Sequence, residues 1–236
     1  MPHSINRDLV RSTPFFSQMK DDDLDDILAT SICRRYPIGE PVFMQGQTAE
    51  KFYFLLHGRL KVTQVTADGQ QIIVRMVNPG DIFGFAKALR RPDYPGTATA
   101  AAESMALGWP TDHWDTFVTR HPTLAVSAMQ AIGSRLQEAH ARIREMATEA
   151  VERRVAHAVL RLVSQSGRKE ERGIRIDFPI SRHDIAEMTG TTLHTVSRIL
   201  SAWERADVVD GGRQKLLVRD PHRLLLIADG EQPGLL

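Results

Sequence analysis

The sequence has 236 residues, a hydrophobic content of 42% and a formal net charge of +1, so it can form a folded core but is not a generally basic nucleic-acid-binding protein. Its single cysteine, Cys33, excludes an intrachain disulfide and any zinc site or iron–sulfur cluster built from several thiolates of one chain. The N-terminal stretch lacks the apolar core of a signal peptide, and no window approaches about 18 apolar residues, so we expect a cytoplasmic protein that does not contact a membrane.

The first predicted element is a short helix over residues 14–30. Leu24, Ile27 and Leu28 are expected to face inward, and the acidic run DDDLDD is expected to lie on the solvent face. We interpret these acids as a solvated surface rather than as a metal site.

Short β-type runs follow from about residue 36 to residue 110. Turn glycines separate these runs, a spacing typical of a small antiparallel barrel or roll. The runs are PVFMQ, FYFLLH, LKVTQV and QIIVRMV. The dipeptide Asp68-Gly69 between two of these runs predicts a β-hairpin.

A long helical stretch comes next, with its apolar residues in an alternating four-three spacing held over three heptads. These residues are Ala125, Met129, Ile132, Leu136, Ala139, Ile143 and Met146. One interpretation is a helix packed on its own β-roll. The positions between the apolar residues are largely polar, however, and a narrow apolar stripe of this period favours a coiled-coil seam with a second copy of the helix.

The seam ends near residues 147–149, and Thr148 is predicted to cap a new helix, VERRVAHAVLRLV. Residues 164–173 are predicted to be a charged loop, and IRIDFP a short strand. We therefore expect three parts: an N-terminal β-roll over residues 1–120, a dimerisation helix over 121–147 and a C-terminal domain over 148–236.

Two helices joined by a tight turn are predicted in the C-terminal domain. Ser181 caps the first helix, with Asp184 three residues later in a variant of the capping box. Gly190 permits the left-handed turn that ends this helix, and Thr191 or Thr192 caps the second helix, LHTVSRILSAWERA. Two helices joined at a steep angle by about three residues form the helix-turn-helix module that reads DNA.

Spacing in the second helix places Val196, Ile199, Leu200 and Trp203 on its buried face. Arg198 lies on the exposed side, where its guanidinium can bond guanine O6 and N7 together, a contact that discriminates by roughly 1–3 kcal/mol. After this helix, VVDGGRQKLLV predicts two strands around Gly211-Gly212, a β-wing that carries basic side chains. The candidate DNA-contacting residues are Arg182, Thr192, Leu193, His194, Thr195, Ser197, Arg198, Arg213 and Lys215.

The segments ISRHDIAEMTGTTLHTVSRILSAWE, VERRVAHAVLRL and VNPGDIFG resemble the CRP/FNR superfamily over roughly residues 14–227. The resemblance implies an α+β fold with a cyclic-nucleotide-binding-like β-roll, a dimerisation helix and a winged helix-turn-helix. It also implies a homodimer, a transcription regulator that works with RNA polymerase, and palindromic DNA half-sites about one helical turn apart.

The sequence departs from three signatures found in that family, one in the recognition helix and two in the sensor. The recognition helix commonly reads E-T-V-S-R, whereas His194 stands first here, so we expect altered preference at the base that the glutamate would contact. In the sensor, cyclic-AMP members carry an Arg followed by Ser or Thr and Ala. Here Arg90 and Arg91 come too early and the matching region is YPGTA, so we expect no cyclic AMP. The N-terminal cysteine cluster of oxygen-sensing members is absent, so we expect no iron–sulfur cluster.

The sequence is most similar to the branch that controls nitrite and nitric-oxide reductase genes in denitrifying bacteria. This resemblance is carried by the segment TGTTLHTVSR and by the lack of both sensor signatures. This resemblance implies an activator at TTG-N8-CAA-like sites, a response to nitric oxide and a heme as cofactor. The candidate heme ligands are His57, His3 and the amino group of Pro2, each of which is otherwise a surface residue.

Three alternatives stay open. The regulator could be independent of a ligand or controlled by oxidation of Cys33, whose pKa the neighbouring Arg34 and Arg35 would lower if the thiol were exposed; a buried inert thiol is the other interpretation. A cyclic-nucleotide-responsive regulator is a further alternative. A cupin-type metalloenzyme needs several histidines in the roll, which supplies essentially only His57, so we expect neither an enzyme nor a metal site.

Overall fold

The computed structural model describes residues 7–86 and 89–231, and they form two compact units. The first unit contains the described residues up to Gln64 together with Arg75–Ala139. The second contains Val65–Val74 and the described residues from His140 onward. Residues Pro2 and His3 lie outside the described residues.

Eight strands form the β-roll. They are β1 (Ile32–Tyr36), β2 (Pro41–Phe43), β3 (Lys51–His57), β4 (Leu60–Val65), β5 (Gln71–Val77), β6 (Ile82–Phe83), β7 (Thr97–Ala100) and β8 (Ser104–Pro110). They make two four-stranded antiparallel sheets in the orders β1-β8-β3-β6 and β2-β7-β4-β5. The predicted antiparallel roll is thus confirmed, and the hairpin turn at Asp68-Gly69 joins β4 to β5, with the Gly69 N–H donating to Thr66 O at 2.9 Å.

Strand β3 lies between two hydrophobic cores, which explains its unbroken apolar run. Phe52 and Phe54 pack in one core with Trp109, while Tyr53 and Leu55 pack in the other, inside the roll. Side chains alternate between the two faces of a strand, so a strand covered on both faces needs apolar residues at every position.

Three short helices flank the roll: α1 (Arg7–Arg11), α2 (Asp21–Ala29) and α3 (His113–Arg120). The prediction of one helix over 14–30 is wrong at its start, because residues 13–19 form successive turns that bury Phe15, Phe16 and Met19. The helix begins only at Asp21, where acids in the first turn favour a helix N-terminus. Its inward face is as predicted for Leu24 and Ile27.

The long helix α4 runs over Pro122–Thr148, and α5 runs over Val151–Ser166. Thr148 does not cap α5. It is the last residue of α4, where its hydroxyl donates to Arg144 O at 2.8 Å, and Ala150 is the N-cap residue of α5. The connection between the helices is therefore two residues long. The Glu149 carboxylate contacts α5 from this connection, with Oε2 lying 3.2 Å from His157 Nε2 and Oε1 lying 3.6 Å from Arg153 Nη2.

The rest of the second unit is a helical group with a four-stranded sheet of order β11-β12-β10-β9. After α5 come β9 (Gly167–Glu170), β10 (Gly173–Ile176), α6 (Arg182–Thr189), α7 (Leu193–Arg205), β11 (Val209–Gly212), β12 (Lys215–Val218) and α8 (Pro221–Asp229). The charged loop predicted over 164–173 is wrong: α5 continues to Ser166, and residues 167–170 pair with β10 as an exposed edge strand. Charged side chains are suited to an edge strand, because they oppose pairing with other chains.

Candidate nucleic-acid interface

The first helix of the predicted module, α6, is capped at both ends as its sequence indicates. Ser181 Oγ accepts from the Asp184 N–H at 3.0 Å, and the Asp184 carboxylate accepts from the Ser181 N–H at 2.9 Å. Gly190 ends the helix in the left-handed conformation, with φ 61° and ψ 41°. A residue with a side chain is strained in that conformation, so the glycine fixes the angle at which the chain leaves α6.

The second helix, α7, is held firmly against the rest of its unit. Thr192 Oγ1 accepts from the Thr195 N–H at 3.1 Å and caps the helix. Val196, Ile199, Leu200 and Trp203 are all buried, as predicted. The Trp203 indole N–H donates to Glu152 Oε1 at 2.8 Å, which ties α7 to the first turn of α5.

The opposite side of α7 is open to solvent near its N-terminus. Leu193, His194 and Arg198 are exposed, and Thr195 and Ser197 are half-buried. A rigid helix with an exposed N-terminal turn, polar side chains and an exposed arginine fork has the shape and the donors needed to enter a major groove.

Arg182 does not project freely from the start of α6. Its guanidinium donates to Glu204 Oε1 at 2.9 Å and lies 3.5 Å from Ser201 Oγ, so it bridges to the outer part of α7. The sequence pattern predicted Arg182 only as a DNA contact, and this acidic partner was not predicted.

The wing is present, but its turn is not where the glycines suggested. Gly211 and Gly212 belong to β11, and the turn lies at Arg213 and Gln214, with Gln214 at a positive φ of 58°. The side chains of Arg213 and Lys215 are exposed at this tip, where they extend the basic surface beyond the helix.

The seam predicted on α4 is exposed to solvent within one chain. The side chains of Met129 and Ile143 are 65% and 64% exposed. Four more members of the seam are also exposed: Ile132, Leu136, Ala139 and Met146. Within the first unit, the side of α4 that carries Met129, Ile132, Leu136 and Ala139 is therefore not covered by the roll, which disfavours the alternative interpretation of the apolar stripe.

Of the candidate effector residues, only His57 lies in the part of the chain that the structure describes. His57 is exposed at the end of β3, so its ring is solvated and is not enclosed by the apolar wall that a heme face requires. The two other heme candidates, His3 and Pro2, are outside the described residues. The exposed position of His57 does not fit an enclosed heme.

Cys33 is exposed on β1, so the interpretation of a buried thiol is wrong. Desolvation nevertheless raises the pKa of the Cys33 thiol, and the opposing effect of Arg35 is smaller. The Arg34 guanidinium instead lies over the Tyr36 ring, 4.9 Å from its centroid, and donates to Glu40 Oε1 at 2.6 Å. The predicted activation of the thiol by its two arginines is thus incorrect.

The YPGTA segment, which the family resemblance matches to the cyclic-phosphate site, begins with a buried tyrosine. The Tyr94 ring stacks on Phe43 with centroids 3.9 Å apart, and its hydroxyl donates to Lys51 O at 2.7 Å. Arg90 and Arg91 are exposed, and Arg91 pairs with Asp93. An arginine that clasps a cyclic phosphate would instead have to point into the roll.

Among residues 7–86 and 89–231, no group of three or more His, Cys, Asp or Glu side chains is arranged to hold a metal ion. No helix in the same part of the chain has the length and apolarity to cross a membrane.

Glu152 and Glu204 are the functional-site residues that sequence analysis missed. Glu152 could have been found, because it precedes Val155, Ala156 and Val159 by three, four and seven residues and so belongs to the buried stripe of α5. Glu204 is 22 residues from Arg182 in sequence, and no local pattern links two residues that far apart.

Comparison with known families and structures agrees with this architecture. Residues 33–121 match the cyclic nucleotide-binding domain family, and residues 153–227 match the Crp-like helix-turn-helix domain family. The chain is 28% identical over 221 residues to the cyclic AMP receptor protein of Thermus thermophilus, covering 94% of this chain and 99% of that one. It is 27% identical over 196 residues to the global nitrogen regulator of Synechocystis sp., covering 82% and 87% of the two chains.

Solved structures have the same fold. A CRP-family transcriptional regulator from Thermus thermophilus superposes with a TM-score of 0.73 at 24% identity, over 83% of this chain and 96% of that one. FixK2 from Bradyrhizobium japonicum gives a TM-score of 0.73 at 22% identity, over 84% and 96%. The chain belongs to the CRP/FNR family of DNA-binding transcription regulators.

Proposed function

We propose that this regulator acts in the cytoplasm as a homodimer that binds palindromic DNA and activates transcription with RNA polymerase. The observation that carries the proposal is the exposed N-terminal half of α7, which presents Arg198 from a helix capped at Thr192 and anchored through Trp203. Two such helices related by a two-fold axis enter major grooves one helical turn apart, about 34 Å.

The side chains on and near α7 contact bases or phosphates according to their chemistry. Arg198 reads a guanine through its O6 and N7 atoms. Ser197 and His194 reach neighbouring base edges, and Leu193 supplies an apolar contact suited to a thymine methyl group. Phosphate contacts come from the hydroxyls of Thr192 and Thr195 and from Arg182, Arg213 and Lys215.

Dimerisation uses the exposed apolar side of α4. Leu136 and Ile143 are more than half exposed in one chain, and their heptad spacing suits a partner helix that removes both from water. The pair of α4 helices then sets the separation of the two α7 helices.

We infer that the sites are TTG-N8-CAA-like and that the controlled genes serve nitric-oxide response and denitrification. The TGTTLHTVSR segment and the absence of both sensor signatures support this placement. The aromatic packing of Tyr94 against Phe43 supports a signal other than cyclic AMP. The same packing favours a second candidate, a regulator that needs no small-molecule ligand, because Tyr94 and Phe43 are both buried in the hydrophobic core of the roll.

Fluorescence anisotropy under anaerobic conditions tests the proposal. The purified protein is titrated against a TTG-N8-CAA duplex and against a duplex with both half-sites scrambled, with and without heme and nitric oxide. We expect preference for the palindrome and its loss in Arg198→Ala. Binding that needs nitric oxide supports the gas response, whereas equally tight binding in every condition supports the ligand-independent regulator. Equal affinity for both duplexes would exclude the proposed site.

A further inference from the structure

Arg182 and Glu204 form an ion pair between the first turn of α6 and the last turn of α7. Arg182 Nη2 lies 2.9 Å from Glu204 Oε1, and the two side chains are 37% and 30% exposed. Ser201 Oγ lies 3.5 Å from the other terminal nitrogen of Arg182. The guanidinium is therefore held in one place, but solvent and ligands can still reach it.

The ion pair borders the side of α7 that faces DNA in the proposed function. Ser201 is three residues beyond Arg198 and Glu204 is three beyond Ser201, so each residue neighbours the next along a row that winds partly around the helix. Through its contact with Ser201, Arg182 places a cation next to Arg198 along this row.

The wing also borders this ion pair. A Cβ atom added to Gly211 would lie 2.3 Å from Glu204 Oε1 and 3.8 Å from Arg182 Nη2. Glycine at this position lets the wing backbone approach the carboxylate closely. The start of α6, the end of α7 and the wing thus converge on one guanidinium and its carboxylate.

We propose that Glu204 occupies the phosphate site of Arg182 in the free protein, and that a DNA backbone phosphate replaces it on binding. The inference rests on the proposed DNA-binding function. Carboxylate and phosphate present similar paired oxygens to a guanidinium, so one can substitute for the other. A partly exposed pair is weak, because water and salt screen it, so the exchange costs little. Glu204 is then a residue that limits affinity, and it acts on all DNA sequences alike.

A double-mutant cycle with Glu204→Gln and Arg182→Gln tests the exchange. Glutamine has nearly the same shape as glutamate and removes the negative charge. Anisotropy is measured with the palindromic and the scrambled duplex over a range of salt concentrations. The control is Glu171→Gln, which removes one negative charge from the exposed turn between β9 and β10. Thermal unfolding of each variant verifies that it is folded.

We expect Glu204→Gln to tighten binding to both duplexes by about 3–10-fold, since it removes a competitor of the phosphate. Arg182→Gln should weaken binding and reduce the slope of log K against log salt by about one, the signature of one lost phosphate contact. In the Arg182→Gln background, Glu204→Gln should have no effect, because the carboxylate acts only through Arg182.

Three results would overturn the inference. The first is that Glu204→Gln leaves the affinity for DNA unchanged or weakens it. The second is that Glu204→Gln changes this affinity by the same factor as Glu171→Gln. The third is that Glu204→Gln tightens DNA binding equally with and without Arg182. The last result would mean general charge repulsion rather than exchange at one arginine. If the wild-type protein prefers the palindrome but the double-mutant cycle shows no coupling between Arg182 and Glu204, this inference alone is wrong. If the wild-type protein binds neither duplex, the proposed DNA-binding function is wrong as well.

Discussion

His194 stands at the position where related recognition helices carry a glutamate, and its side chain is exposed. A carboxylate accepts a hydrogen bond from cytosine N4, which a neutral imidazole does not reproduce. We expect His194→Glu to create a preference of roughly tenfold for cytosine at one base pair of each half-site, while the guanine read by Arg198 stays unchanged. Binding to duplexes with all four bases at each half-site position measures this, and an unchanged base profile would contradict the placement of His194.

All three tyrosines of the chain, Tyr36, Tyr53 and Tyr94, have raised pKa values, chiefly because burial disfavours the phenolate. In the unfolded chain they ionise near a pKa of about 10. A folded pKa above the unfolded one gives stability that is fully present below about pH 10 and is lost as the pH rises toward the folded pKa. We expect absorbance at the phenolate band to appear at higher pH in the folded protein than in concentrated urea. Phenolate formation near pH 10 in a folded protein would contradict the packing of the roll.

Helix α7 depends on α5 through a buried hydrogen bond between Trp203 and Glu152. Glu152→Ala leaves the indole N–H without that acceptor, so we expect a loss of about 1–3 kcal/mol in the free energy of unfolding. Glu152→Gln keeps an oxygen acceptor and should lose less. Urea unfolding of both variants gives the comparison, and equal losses would show that the hydrogen bond is not what stabilises this contact.

Elements with local signals were predicted well. The capping box at Ser181, the left-handed Gly190 and the Thr192 cap depend on residues within four positions of one another, so a single sequence contains all the needed information. The start of α2 and the strand β9 were predicted incorrectly. In the first case burial of Phe15 and Phe16 favours turns over a helix, and in the second pairing with β10 outweighs the preference of a charged stretch for a loop.

The candidate site also contains features that local sequence predicts and features that depend on tertiary packing. The exposure of Arg198 and the burial of Trp203 followed from helical spacing. The contact of Arg182 with Glu204, and the position of the wing turn at Gln214 rather than at the glycines, depend on how separate elements pack. Such contacts are set by tertiary structure, which composition and periodicity do not specify.

At the scale of the whole molecule, the exposed apolar side of α4 leads to a prediction about mass. In size-exclusion chromatography with light scattering, the wild-type protein should have twice the mass of one chain, which is 26.5 kDa. Ile143→Glu should shift it toward the monomer and weaken DNA binding, because like charges then oppose each other in the seam. The matched control is Gln137→Glu, which places the same charge on a polar position of the same helix and should remain dimeric. A dimeric Ile143→Glu protein with normal DNA affinity would exclude this seam as the interface.

The distribution of the three tryptophans gives each unit its own intrinsic fluorophore. Trp109 is buried in the core beside the roll and Trp114 packs against that core, whereas Trp203 lies in the interior of the helix-turn-helix unit. Emission from Trp203 alone, obtained by replacing the other two with phenylalanine, reports how the DNA-reading unit melts. Emission from the Trp203→Phe protein reports the melting of the roll. Comparing the two melting curves reveals whether the units unfold together or in sequence, without any attached label.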